Sequence, residues 1–188
     1  MAGDTVIATA RTLLRLWRPE DEPAFAAMCA DPEVMRHFPA LMTRAESDAL
    51  VGRIRAHHEQ RGFGLWALEI PGLVPFAGFV GLSIPRFEAH FTPCVEIGWR
   101  LAPTAWGKGY ATEAAQAALD HGFQILKLDE IVSFTVPANE RSWRVMQRIG
   151  MHRDPTDDFD LPTIAQGHRL RRHLLYRLTS EEWRRQQS

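Results

Sequence analysis

The chain has 188 residues, 45% of them apolar and 24% charged, with a formal charge of −1. These are the proportions of a soluble globular protein long enough to bury one core, and the charge gives no global drive toward nucleic acid or a membrane surface. Two cysteines, Cys29 and Cys94, without CxxC spacing, argue against a disulfide scaffold and a zinc site and point to a reducing compartment. The N-terminal MAGDTVIATARTLL has no cationic region followed by a long apolar run, and no segment approaches the ~20 apolar residues of a membrane span. A cytoplasmic, single-domain protein spanning 1–188 is expected.

Thr12–Trp17 (TLLRLW) reads as a first strand, broken by Arg18-Pro19-Glu20-Asp21. Asp21 is placed to cap a helix running to about Cys29. Thr43-Arg-Ala-Glu46 has the form of a capping box for a helix to Arg61, stopped by Gly62 and Gly64. Leu65–Ile70 and Phe76–Ile84 read as antiparallel strands joined by Pro71-Gly72, and Val95–Leu101 as the next strand. Gly109–Leu126 is an alanine-rich helix able to lie close on a sheet. Ile131–Val136 is β-branched and apolar, a buried strand. Asn139 or a neighbour caps a helix through Ile149, which Gly150 stops. Met151–Arg153 begins a short strand, 154–167 is a loop rich in Pro and Asp, Leu174–Leu178 is a last strand, and Ser180–Arg185 a terminal turn or short helix. The order β-αα-βββ-α-β-α-β-β is that of a mixed α/β fold with an antiparallel front half and two later helices crossing the sheet.

The stretch Val95–Thr112, VEIGWRLAPTAWGKGYAT, carries the densest chemistry. A strand runs through a short loop into a glycine-bracketed turn that opens a helix. Glycine tolerates unusual dihedrals, and a helix N-terminus presents unpaired N–H groups and partial positive charge, so phosphate groups suit it.

The run Trp106-Gly107-Lys108-Gly109-Tyr110-Ala111 resembles the acetyl-CoA-binding motif Gln/Arg-x-x-Gly-x-Gly/Ala of the GCN5-related (GNAT) N-acetyltransferases, departing at its first position, where Trp106 stands. The string WGKGYATEA is similar to the ribosomal-protein N-terminal acetyltransferase (RimJ/RimL-like) branch. Two further segments agree in order and spacing. Val136-Pro-Ala-Asn139-Glu-Arg-Ser142 with Val145-Met146 and Arg148-Ile149-Gly150-Met151 is similar to that branch's N-x-x-S…KxGF. Phe159-Asp160-Leu161-Pro162…Gly167-His168…His173-Leu-Leu-Tyr176-Arg177 resembles its FDHP…GH…HxxYR, with Leu161 where His is usual.

The resemblance implies a mostly antiparallel twisted sheet with helices on both faces and one strand pair splayed to admit acetyl-CoA, the co-substrate. No metal is expected. The amides of Trp106–Ala111, with Thr112 next in the helix, would cradle the pyrophosphate, Gly107 and Gly109 admitting it and Lys108 adding contact or screening. The pantetheine arm would pair with backbone near Trp99 and Leu101, where one N–H would polarise the thioester carbonyl. Asn139 would reach the pantetheine or a bound water. Arg141, Arg144 and Arg148 would either meet the adenosine phosphates or form a solvated basic helix face.

An attacking amine must be neutral. Glu96, on the strand face shared with Gly98 and Arg100 and opposite Val95, Ile97, Trp99 and Leu101, is the candidate base, directly or through water. The alternative is a structural Glu paired with Arg100 or a loop amide. Many family members use a Tyr to protonate the departing thiolate; Met146 stands at that position. Ser142, one turn earlier, is the candidate acid, or else bonds local backbone; Tyr176, Tyr110 and solvent are fallback donors. Neither cysteine lies on a motif with a nearby base, so direct attack is expected rather than an acyl-enzyme.

His57-His58, His168 and His173 lack metal spacing, and His173 in the last strand is a minor candidate base, reading first as packed or surface. Trp17, Trp66 and Trp99 read first as core and second as substrate walls. Asp154, Asp157, Asp158 and Asp160 form an acidic patch that either draws a cationic amine or is a solvated loop neutralised by Arg169, Arg171 and Arg172. GxxxxGK[ST] is absent, which disfavours a P-loop nucleotidase. The alternative to an N-acetyltransferase acting on a primary amine, a protein N-terminus or a small molecule, is an acyl-CoA-binding sensor or structural module without turnover. The sequence leaves a homodimer open.

Overall fold

A computed structural model describes residues 6–187. Residues 1–5, part of the N-terminal stretch read as lacking a leader, lie outside the described residues. The described chain is mixed α/β, with five α-helices and nine strands, most of them paired antiparallel. It divides into two compact units, residues 1–83 with 98–118, and residues 84–97 with 119–188.

In the first unit, β1 (Ile7–Ala8), β2 (Leu13–Arg15), β3 (Leu65–Ile70) and β4 (Val74–Ser83) form an antiparallel ladder, with Leu14 opposite Leu68 and Trp66 opposite Val80. Strand β5 (Glu96–Leu101) gives Gly98–Leu101 to this unit. A side chain on Gly78, whose φ is 126°, would run into the Arg100 carbonyl, so glycine there is what lets β4 and β5 lie together. Helix α1 (Asp21–Ala30) and helix α2 (Arg44–Arg61) pack on each other, and Trp17, Phe25, Met28, Cys29, Val51, Ile54, Phe76 and Phe79 make their apolar core. The capping box forms as expected: Thr43 Oγ1 accepts from the Glu46 N–H and Glu46 accepts from the Thr43 N–H, while Gly62 ends α2 at φ 75°. Asp21 is not a cap. It is the first helical residue, and its carboxylate takes Arg15 at 2.8 and 2.9 Å and the Arg18 N–H at 2.8 Å.

In the second unit, β6 (Glu130–Thr135), β7 (His152–Arg153), β8 (Phe159–Asp160) and β9 (Arg172–Thr179) gather around β9, which pairs antiparallel with the other three. The start of β5 runs parallel to β6, Glu96 opposite Val132, with the Val132 N–H on the Val95 carbonyl. One step on, the buried Ser133 hydroxyl, not a backbone amide, donates to the Ile97 carbonyl at 2.8 Å. Helix α4 (Glu140–Arg148) packs on β6, and α5 (Ser180–Gln186) on β9, started by a second capping box, Thr179 with Glu182. A cluster of Phe91, Phe159, Val132 and Leu175, with Phe87 and Phe134, fills the unit.

The helix expected over 109–126 is α3 (Tyr110–Asp120) followed by a π-helical turn, His121–Ile125. The loop expected over 154–167 contains a 3₁₀ turn and β8. No described helix is long and apolar enough to cross a membrane.

Candidate active site

The glycine turn lies in the first unit. Gly107 and Gly109 have φ of 72° and 83°, the left-handed region that costs a β-carbon roughly 1–2 kcal/mol. Space is not the reason for glycine at 107, where a side chain would meet nothing within 4 Å; conformation is. The result is a row of exposed amides. Trp106 N–H is bonded to Pro103, which removes it from the expected cradle, and the next backbone bond into the turn is Glu113 N–H to the Gly109 carbonyl. The N–H groups of residues 107–112 between them have no hydrogen-bond partner among the described residues, and they end on the first turn of α3. That arrangement holds an anion by charge-free donors and helix dipole.

A strap that the sequence reading missed fixes this turn. Glu113, in the first turn of α3, accepts from Thr9 Oγ1, the Arg11 N–H and Arg11 Nε, each at 2.7 Å. Burial pushes the Glu113 carboxyl up, but the bonds from Thr9 and Arg11 outweigh it and leave it lowered. Arg11 also donates to the Lys108 carbonyl at 3.0 Å and lies over the Tyr110 ring. The contacts join residues a hundred positions apart, and no local pattern signals them. Lys108 bends back to donate to the Thr104 carbonyl. Trp106 is half-buried against the α1–α2 core, and its indole N–H donates to the Leu101 carbonyl at 2.8 Å. The departure at the first motif position therefore ties the turn to the end of β5, and the Leu101 carbonyl already carries one bond. Trp99 is half-buried and Leu101 buried.

Arg100, on the same strand, is not paired with Glu96. Its guanidinium lies 4.0 Å from the centre of the Phe38 ring and donates from Nη1 to Cys29 Sγ at 3.3 Å. Burial lowers its pKa, and burial raises that of Cys29.

The second unit holds the two candidate catalytic side chains. Glu96 is half-buried, makes no hydrogen bond with the described residues, and is pushed by burial up to about 8. A carboxyl poised there is mostly protonated at pH 7, and its ionised form, which grows as pH rises to about 8, has base strength matched to an amine near ~8. Cys94, two residues before it, is held protonated, raised to about 11 by burial and then by the charges of Glu96 and Glu130. Ser142 sits in the first turn of α4, half-buried, its hydroxyl unbonded among the described residues. The backbone-bonding alternative for it is not adopted.

Asn139 stands at the N-cap position of α4 without capping it: its Nδ2 donates to Thr135 Oγ1 at 3.0 Å. Arg144 is exposed and bridges to Glu140 at 2.8 Å, and Arg148 is exposed. Met146 is buried at 1% exposure, a core residue with no proton to give. Tyr176 and Tyr110 are buried too. His173 packs on Phe159 and Phe134, with burial lowering its pKa.

Three of the four aspartates of the acidic loop pair with arginines, and Asp154 accepts from Thr156. Asp157 pairs with Arg177 at 2.7 Å, Asp158 with Arg153, and Asp160 with Arg171 and Arg172. Arg153 and Arg177, from the flanking strands, carry this as much as the arginines expected from the sequence. Among the described residues no group of three His, Cys, Asp or Glu side chains is placed to hold a metal.

Comparison with known proteins agrees with this geometry. The profile of the acetyltransferase (GNAT) domain matches residues 11–152. An uncharacterized N-acetyltransferase of Bacillus subtilis, YnaD, is 31% identical over 94% of this chain and 98% of its own. A GNAT-family acetyltransferase of Bacillus anthracis superposes with a TM-score of 0.77 at 28% identity, over 94% of this chain and 99% of that one. Mycobacterium smegmatis RimJ, solved in complex with CoA-disulfide, shares the fold, with a TM-score of 0.75 at 21% identity over 96% and 90%. With the motif on its loop, the fold around it and these relatives in agreement, the chain belongs to the GNAT acetyltransferase family and is an N-acetyltransferase.

Proposed function

We propose that the protein is one acetyltransferase domain of the RimJ/RimL-like branch that moves an acetyl group from acetyl-CoA to a primary amine, a protein N-terminus or a small molecule, by direct attack in a ternary complex. The observation that carries this is the row of unbonded amides at 107–112 on the start of α3, held by Arg11 and Glu113. Gly107, Lys108, Gly109, Tyr110, Ala111 and Thr112 bind the pyrophosphate, and Trp106 anchors them to β5. Backbone at Trp99 and Leu101 takes the pantetheine, and a donor there faces the oxyanion. Asn139 serves the pantetheine, and Arg144 an adenosine phosphate once it leaves Glu140.

Glu96 takes the proton of the ammonium. The freed amine attacks the thioester carbonyl, the C–N bond forms, and collapse of the tetrahedral intermediate breaks the C–S bond. The thiolate takes its proton from Ser142, whose uncommitted hydroxyl supports the role, and the second proton shed by the new amide nitrogen returns through solvent to the Ser142 oxygen, so thiol and serine both end neutral. Two thiols held protonated support direct attack over an acyl-cysteine. The same row of amides would serve a cytoplasmic acyl-CoA sensor equally well, so turnover is the test. Mixed with acetyl-CoA and a panel of amines, the protein is expected to release free thiol in step with acetylated amine. Acetyl-CoA bound with no thiol released on any amine would overturn catalysis in favour of the binding module.

A further inference from the structure

Arg100, in the first unit, is not used by the reaction above. Its head is enclosed by rings, with Phe38 at 4.0 Å, Phe79 at 5.5 Å and Phe25 at 5.9 Å from the guanidinium carbon. Nη1 donates to Cys29 Sγ, while Nε is buried with no acceptor among the described residues. Cys29 is fully buried and its thiol is held protonated, so it offers a weak acceptor and no negative charge. Among the described residues no carboxylate pairs with Arg100, and none contributes to its electrostatic surroundings. A desolvated cation without a counter-ion is costly in a fold, and a chain that needed only packing would place an apolar side chain there.

We propose that Arg100 recognises the acceptor, and that the amine this enzyme acetylates carries a carboxylate. The inference rests on the N-acetyltransferase reading. With Nη1 held by Cys29, the Nε and Nη2 edge is left to donate to a planar carboxylate in the two-bond fork that guanidinium favours. Phe38 covers one face and fixes the plane. Among the described residues no other cation contributes to the electrostatic surroundings of Arg100, and a single guanidinium suits a monoanion better than a phosphate. Arg100 follows Trp99 by a single Cα step, about 3.8 Å, so an acceptor gripped here lies beside the strand backbone assigned to the thioester. Arg100 and Phe38 are both half-buried.

The test compares acids with their amide isosteres at equal free-amine concentration: glycine against glycinamide, and C-terminally amidated peptides beginning Asp against Asn and Glu against Gln. The free amino acid and the peptides are separate arms that identify the source of the carboxylate. In at least one pair the acid should win by about tenfold or more in kcat/KM. Arg100→Gln should bring that ratio near one through loss on the acid, and Arg100→Lys should keep part of it. Arg100→Met should melt no lower than wild type, since it removes an uncompensated charge. Turnover with parity between acid and amide in wild type would overturn this inference alone. So would a ratio that survives Arg100→Gln, a rise in the KM for acetyl-CoA in place of a change in ratio, or a Tm loss of many degrees in Arg100→Met. Absence of thiol release from every amine would instead overturn the transferase reading beneath it.

Discussion

Two arginines of the first unit separate structure from function. Arg15, on β2, is 3% exposed and every nitrogen is satisfied: Asp21 at 2.8 and 2.9 Å, Glu69 at 2.7 Å, and the carbonyls of Leu16 and Pro75. The hydrogen bond to Asp21 leads in raising its pKa against the opposing effect of burial. Arg100, on β5, has rings and a neutral thiol instead, and burial lowers its pKa. The first is a closed network whose charges answer one another; the second is open. The same division sorts the rest of the molecule. The capping boxes of α2 and α5 and the 154–160 loop are satisfied within the chain, whereas among the described residues the 107–112 amides, the Glu96 carboxyl and the Ser142 hydroxyl are not. Unsatisfied polar groups are expensive to keep, and each of these at a motif position is one that the proposed reaction assigns to a substrate.

The comparison can be broken most sharply at the open amide row. Gly109→Glu should cost at least about 100-fold in acetyl-CoA affinity, read by calorimetry, because a carboxylate would occupy the anion's place. Gly109→Ala shares the backbone strain without the charge and should lose much less. Equal losses in the two would reduce the effect to conformation.

At the closed network, Asp21→Ala should lower stability by about 3 kcal/mol, a Tm fall of roughly 10 °C, because Arg15 is left charged and half-answered. A variant that melts with wild type would show that the ion pair is not what holds β2 to α1.

Glu96 gives a prediction in pH. Its folded-state pKa of about 8 lies above the usual carboxylate value, so the folded protein holds this proton more tightly than the unfolded chain. The stability it contributes is full below about pH 4.5 and is lost as pH rises to about 8. Glu96→Gln should therefore match wild type near pH 4 and melt higher, by ~5 °C, at pH 9. The same substitution should lower the acetylation rate and flatten its rise toward pH 8, while acetyl-CoA affinity stays near wild type. An unchanged pH–rate profile would remove Glu96 from the base role.

Ser142→Ala is the mildest. A fall in kcat of about tenfold with KM values held would fit a proton donor that solvent partly replaces. No change in kcat would assign the proton to solvent.

Much of this was legible in sequence because it is local. The Thr43–Glu46 capping box, the strands at 65–70 and 96–101, and the glycine turn are all written in contiguous residues. The Arg11–Glu113 strap, the buried Arg15–Asp21–Glu69 network and the setting of Arg100 against Cys29 and Phe38 are not, since each joins distant segments whose charges read alike on any surface. Asp21 looked like a cap because caps and ion-pair partners share a residue type, and only its neighbour in space decides. The short strand β8 hid in a Pro- and Asp-rich stretch because two residues carry no periodicity.

The most direct measurement is a single-turnover reaction of the protein with acetyl-CoA and the amine panel, with thiol release and acetylated product followed together in wild type and Gly109→Glu. The account predicts equal yields of thiol and N-acetylated amine in wild type and neither in the variant. Thiol release without an acetylated amine, or full turnover by a folded Gly109→Glu, would contradict it.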